Sequence, residues 1–267
     1  MALQVHEVVA FNYAEESANK IHSDEVAAKF GFKGGLVPGT ADFAYLCQAV
    51  YKLWGDEWLH GGSMEAKFIK PIYHGEVARA EARPTDDPDR VELALVDPRG
   101  VVCSVGQAQR VGDQPVPSVD DYPHQPQVPA GELPEPSVSA FPAGRALGSL
   151  DLVESAQRSV QEAKDMFVEA LVGADGATRW HPALATHLGN EILKENVRLD
   201  SWIHTASRVR YLAPPADGEA VSLRGSVADT YEKRGHVMTE CDLALFGEGD
   251  RPLLALHHTA IIRLAGA

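Results

Sequence analysis

Between residues 39 and 54 apolar side chains recur almost without interruption. Phe43, Ala44, Leu46, Cys47, Val50, Tyr51, Leu53 and Trp54 leave almost no polar face. Such a pattern predicts a helix enclosed on most of its sides. Residues 182–197, with ALATHLGNEILKENV, predict a second long helix that is more amphipathic. A short strand opens each half of the chain, VHEVVAF at 5–11 and another near ALGSLDLV. A weaker helical segment follows each strand, and three or four long strands follow each long helix. Their turn signals are antiparallel: DPRG at 97–100, EKRG at 232–235 and GEGDRP at 247–252.

The two halves repeat one another. Trp58-Leu59-His60 matches Trp202-Ile203-His204, and Phe68, Pro71, Gly75 and Glu76 match Tyr211, Pro214, Gly218 and Glu219. Pro38 stands twenty residues before Trp58, as Pro182 stands twenty before Trp202. Glu16-Ser17-Ala18-Asn19-Lys20 is echoed by Glu154-Ser155-Ala156-Gln157-Arg158. Their shared order points to a duplicated unit. Between the units, residues 113–148 hold eight of the seventeen prolines. Proline removes amide donors, so this stretch predicts an extended linker rather than a helix or central strand. The expected organisation is a unit at 1–112, a linker at 113–148 and a second unit at 149–267. A helix wrapped by a curved antiparallel sheet, made twice, is an α+β architecture.

Charge narrows the partners. With 38 acidic against 24 basic residues, a formal charge of −14 argues against nucleic acid. It also gives no long-range attraction for an anionic ligand. Cys47, Cys103 and Cys241 are widely spaced among apolar residues, as reduced buried thiols are. The start MALQVHEVV lacks the pattern of a secretory leader, and no apolar run approaches the ~20 residues that cross a bilayer. A cytoplasmic protein with no membrane contact is expected.

The stretch NKIHSDEVAAKFGFKGGLVPGT at 19–40 carries the strongest resemblance. Asn19, Ile21, His22, Asp24, Ala28, Gly31, Phe32, Leu36 and Gly39 fit the pattern of the MaoC-like (R)-specific enoyl-CoA hydratase and dehydratase family. The resemblance implies a tandem, or double, hotdog fold: two curved sheets, each wrapped around a long central helix. It also implies a lyase acting on an enoyl or 3-hydroxyacyl thioester, and a homodimer. No cofactor is called for. His22 would be the acid–base group, Asn19 would hold the base or the water, and Val37 and Gly39 would face the substrate at the start of the long helix. The chain departs from the pattern in four places, the first being Glu16 where the family has a glycine. Ser17 stands where the family has an aspartate, Lys20 replaces a proline and Pro38 replaces a histidine. Val160 occupies the position matching His22 in the second half, so a single site in the first half is expected.

Other readings remain open. Asp42, three residues into the long helix, could instead serve an acyl thioesterase, or simply complement the helix dipole. Loss of the family aspartate would also suit a non-catalytic acyl-ligand binder. Asp24 reads as a helix N-cap. His181 and His187 read as partly exposed residues at an inactive equivalent of the site. Arg208 and Arg210 share one face of a strand, either as a phosphate clamp or as solvated charges. His257 and His258 are strand neighbours that face opposite ways, and no metal-ligand spacing is present.

Overall fold

The structure is a computed structural model that describes residues 2–167 and 169–266. The first half contains β1 (Gln4–Val9), α1 (Asp24–Lys29), α2 (Gly39–Trp54), α3 (Asp56–Leu59) and the strands β2 (Ser63–Phe68), β3 (Val77–Pro84), β4 (Arg90–Val96) and β5 (Val102–Gln109). The second contains β6 (Leu150–Val153), α4 (Ala156–Phe167), α5 (Leu184–Lys194) and β7 (Ile203–Tyr211), β8 (Ala220–Lys233), β9 (His236–Phe246) and β10 (Pro252–Arg263).

All ten strands form one antiparallel sheet in the order β1-β3-β4-β5-β2-β7-β10-β9-β8-β6. The order is a palindrome: β1 to β5 are repeated by β6 to β10, as expected for a duplicated unit. The halves meet where β2 pairs with β7, from Ser63 opposite Arg210 to Lys67 opposite Ala206. This corrects the expectation of two separate sheets. A single seam of backbone hydrogen bonds fuses them, and that seam lies within one chain.

The predicted bounds of α2 hold at both ends. Pro38 precedes it in an extended conformation, and Gly55, at φ 55°, turns the chain out while its N–H donates to the Tyr51 carbonyl. Phe43, Ala44, Leu46, Cys47, Ala49 and Val50 are all buried. Beneath the helix, Ala78, Ala80 and Ala82 occupy alternate positions of β3 with no exposure. Their small side chains let the helix lie close to the sheet, and α2 packs on β1, β3 and β4. The helix α5 is shorter than its pattern suggested and packs on β7 and β10. The EKRG signal is a two-residue hairpin turn, with Arg234 and Gly235 both at positive φ. All three cysteines are buried and free.

The Pro-rich linker forms neither strand nor regular helix beyond single turns. Its first part runs over the face of β7, β9 and β10 that is turned away from the helices, where Pro115, Pro117 and Tyr122 share a groove with Arg208, Arg210 and His257. Its last part is built into the fold: Phe141 and Leu147 are fully buried, and residues 144–147 exchange backbone hydrogen bonds with Gly225 and Val227 of β8.

At Gly106 of β5 an added Cβ would lie 2.0 Å from the Glu65 carbonyl oxygen on β2, the strand that forms the seam. Because that neighbour is backbone, the clash is relieved only by moving strands apart. Gly106→Ala is therefore expected to lower the unfolding free energy by about 1–3 kcal/mol. A urea midpoint equal to that of the parent protein would contradict the tight β2–β5 approach.

Candidate active site

The loop that carries His22 is tied down at three points. The Asn12 side-chain amide donates to the His22 carbonyl at 2.8 Å, and Asp24 Oδ1 accepts the Gly35 N–H at 2.7 Å. Gly35 passes so close that a Cβ there would meet the His22 carbonyl oxygen at 2.0 Å. Asp24 is thus not the cap expected of it. Ser23 precedes α1, Asp24 is the first helical residue, and its carboxylate spans the loop instead.

His22 Nδ1 lies 2.7 Å from the Leu36 carbonyl. A carbonyl only accepts, so Nδ1 carries the proton and Nε2 holds the free lone pair. The Asn19 side-chain amide donates to that lone pair at 3.3 Å. Asn19 cannot turn over, because its two ends are fixed by one residue of the other half: Nδ2 donates to the Trp202 carbonyl at 3.0 Å, and the Trp202 N–H donates to Oδ1 at 3.2 Å. A proton on Nε2 would face the Asn19 N–H, donor against donor. Burial pushes the His22 imidazolium below its usual value, and the hydrogen bond to Leu36 only partly opposes this. The ring is a neutral base at neutral pH.

His22, Asn19, Val37, Gly39 and Asp42 line one cavity of about 200 Å³. At its edge, α2 begins with the amides of Gly39 and Thr40, which have no backbone acceptor among the described hydrogen bonds. Asp42 is 3% exposed and has one bond, from Ser104 Oγ at 3.4 Å. Desolvation raises its carboxyl well above the usual range. Ser17 does not line the cavity; its hydroxyl turns to the Asn19 carbonyl at 3.4 Å. Arg208 and Arg210 also lie outside it, on the far face of the sheet, because Val209 and Tyr211 are the residues of β7 that face inward. A phosphate clamp from these two arginines on this cavity is geometrically excluded.

The second half closes the cavity with Asn190 of α5 and with Trp202, Ile203 and His204 at the start of β7. His204 is 5% exposed, its ring edge-on to Phe68 and stacked on His258 at 4.3 Å. Its Nε2 sits near both the Ala206 carbonyl and Ser207 Oγ, and Ser207 Oγ in turn bonds His258 Nδ1. In sequence, His204 served only to mark the repeat. Its counterpart His60 is exposed, so the repeat itself gave no sign of chemistry. His181 is fully buried against Phe167, not partly exposed as expected. His257 and His258 do face opposite ways, the former paired with Asp242 at 2.7 Å. Among the described residues no group of three His, Cys, Asp or Glu side chains could hold a metal ion, and no helix is long and apolar enough to cross a membrane.

No protein-family profile and no curated protein matches this sequence. Solved structures do. A MaoC domain protein from Chloroflexus aurantiacus, described as a dehydratase, shares 12% identity, with 98% of this chain and 95% of that one covered and a TM-score of 0.63. A Mycobacterium tuberculosis protein described as having a double hotdog fold shares 12% identity over 98% and 96%, at 0.60. The dehydratase domain from the CurJ module of curacin polyketide synthase shares 9% identity over 98% and 92%, at 0.56.

Burial lowers the pKa of His181 and His204 from 6.5 to about 3, and those of His22 and His258 also fall. Below pH 6.5 the unfolded chain takes up protons that the folded chain refuses, so stability falls as pH drops towards the lowered values. Asp42, with its raised value, acts in the opposite sense: its contribution is present at low pH and lost as pH rises. With His6, whose value burial also lowers, five imidazoles outweigh the raised Asp42 and His257 in the window from 6.5 down to about 4. Melting temperatures should therefore fall steeply from pH 7 to pH 5, and equal values at the two pH values would mean that these rings titrate normally. By its fold, the chain is a double hotdog protein of the architecture found in MaoC-like dehydratases.

Proposed function

We propose that the chain is a MaoC-like lyase, a hydratase or dehydratase acting on the carbon–carbon bond next to an acyl thioester, with His22 as its acid–base group. The observation that carries this reading is the tautomer of His22: an unprotonated Nε2 on a residue of the cavity wall that Gly39, the first residue of α2, also lines. A thioester oxygen that gains negative charge would be stabilised by the Gly39 and Thr40 amides and the positive end of the helix dipole.

In the dehydration direction, Nε2 gives up the Asn19 N–H and removes the proton from the carbon next to the thioester, and the electron pair passes to the thioester oxygen as an enolate. The enolate then re-forms the carbonyl and expels the 3-hydroxyl, which takes the same proton from Nε2 and leaves as water. Hydration is the reverse. Asn19, fixed on Trp202, disfavours the protonated ring and so favours return of the proton. Without the family aspartate, His22 performs both proton transfers. The substrate's coenzyme arm would leave by the mouth of the cavity, where exposed Lys70 is the one lysine or arginine among the described residues of its wall.

The thioesterase reading through Asp42 finds less support. Burial disfavours the ionised form of Asp42, the form that a nucleophile or base needs. A binder without catalysis is favoured by one observation, the turn of Ser17 away from the cavity.

Incubation with crotonyl-CoA, followed by loss of enoyl absorbance and by a thiol reagent, separates hydration from hydrolysis. Loss of absorbance without free thiol is expected. His22→Ala should lower kcat by about 10²–10⁴-fold; full activity in this variant would exclude the reading. Asn19→Asp places a negative charge beside Nε2, which favours the imidazolium. The acidic limb of its pH–rate profile should move to higher pH than in the parent enzyme, and an unmoved limb would remove Asn19 from the account.

A further inference from the structure

Three buried polar atoms on residues that line the cavity have no partner among the described residues: Asp42 Oδ1 on α2, Asn190 Oδ1 on α5 and His204 Nδ1 on β7. Their side chains are 3%, 8% and 5% exposed. Buried polar atoms are nearly always hydrogen-bonded in folded proteins, so three orphans around one hollow are a strong signal. The Ala206 carbonyl near His204 Nε2 puts the proton on that nitrogen, which leaves Nδ1 as an acceptor. Asn190 Oδ1 is a second acceptor. The Asp42 carboxyl, with its acidity suppressed by burial, can donate as well as accept. Gly39 packs closely against this wall: a Cβ there would come within 3.1 Å of His204 Nδ1 and 3.0 Å of the Phe68 ring.

We propose that this wall is a recognition subsite for hydroxyl groups on the acyl chain, so that the substrate is a short acyl unit bearing a hydroxyl beyond the reacting carbons. The proposal rests on the lyase reading only for the thioester end. Each alternative ligand chemistry fits less well. A plain alkyl chain would seal three polar atoms away from water without a partner. A carboxylate would meet two acceptors, and Lys70, the one lysine or arginine among the described lining residues, is exposed and lies on none of the three elements that carry these atoms. An ammonium group would lose its hydration against neutral acceptors. A hydroxyl both donates and accepts, and so can pair with any of the three. At about 200 Å³ the cavity is also below the usual size for larger ligands.

Calorimetry with stable amide analogues, in which NH replaces the thioester sulfur, tests this without turnover. The 4-hydroxybutanoyl analogue of the coenzyme A ester should bind at least about tenfold more tightly than the butanoyl analogue, since a site built around hydrogen bonds rejects a ligand that lacks them. His204→Phe removes one acceptor while keeping a flat ring, and should reduce the preference to about twofold or less. Asn190→Leu gives a second, independent reduction should the first variant fold poorly. Equal binding of the two analogues, or tighter binding of butanoyl, would overturn the subsite and mean that water alone satisfies these atoms. A hydroxyl preference in a protein that turns over neither enoyl nor 3-hydroxyacyl esters would keep the subsite and discard the lyase. Turnover without the preference would do the reverse.

Discussion

The site depends on one side chain reaching across the molecule. Asn19, near the end of the first loop, pairs both ends of its amide with the backbone of Trp202, 183 positions away. The pair joins the halves beside the β2–β7 seam, and it fixes which way the Asn19 amide points. That orientation presents an N–H to His22 Nε2. Since Leu36 already holds the other nitrogen, the ring has one tautomer and one neutral state. A buried network is worth most when every member is satisfied, and here satisfying Asn19 is what leaves His22 a base.

The same economy runs through the interior, where ionisable groups are kept uncharged. Taking an imidazolium out of water is costly unless a counter-charge is near, and His181, His204 and His258 have none in direct contact. Ser207 links His204 to His258, so the stacked rings share a hydroxyl instead of a charge. Charged pairs keep at least one partner open to solvent, as with Arg179 on half-buried Asp56 and exposed Arg251 on buried Glu219. A neutral interior suits the enolate of the proposed reaction, because the few dipoles aimed at the cavity are then poorly screened.

The first half was largely legible in the sequence, and for physical reasons. An enclosed helix has to be apolar all round, and Pro38 and Gly55 mark its ends by their backbone preferences, so α2 could be bounded from composition alone. His22, Asn19 and Gly39 lie within a few residues of one another and carry the resemblance to hydratases. The seam was not legible, since strand pairing between distant segments leaves no local pattern. Asn190 and His204 stayed hidden for the same reason, being brought to the cavity only when β2 meets β7. Asp24 misled because a first-turn carboxylate looks like a cap, whereas the glycine-rich loop folded back to claim it. Arg208 and Arg210 were rightly put on one face, but alternation alone cannot say which face is the outer one.

The serine at position 17 changes more than the count of catalytic groups. A carboxylate beside the imidazole would favour its charged form and could hold a water or a second proton. With Ser17 turned to the Asn19 backbone, the proposed reaction has a single proton carrier fixed against Leu36. One nitrogen on a ring that cannot rotate reaches only one face of the acyl chain. The proton taken from one carbon and the hydroxyl lost from the next must then depart from the same side, a syn elimination. In the proposed reaction, a serine in place of the aspartate therefore restricts the stereochemistry while leaving the elementary steps intact. A chain held by hydroxyl contacts to His204, Asn190 and Asp42 would be kept from rolling over between the two proton transfers, which is what a single-base mechanism requires of its binding site.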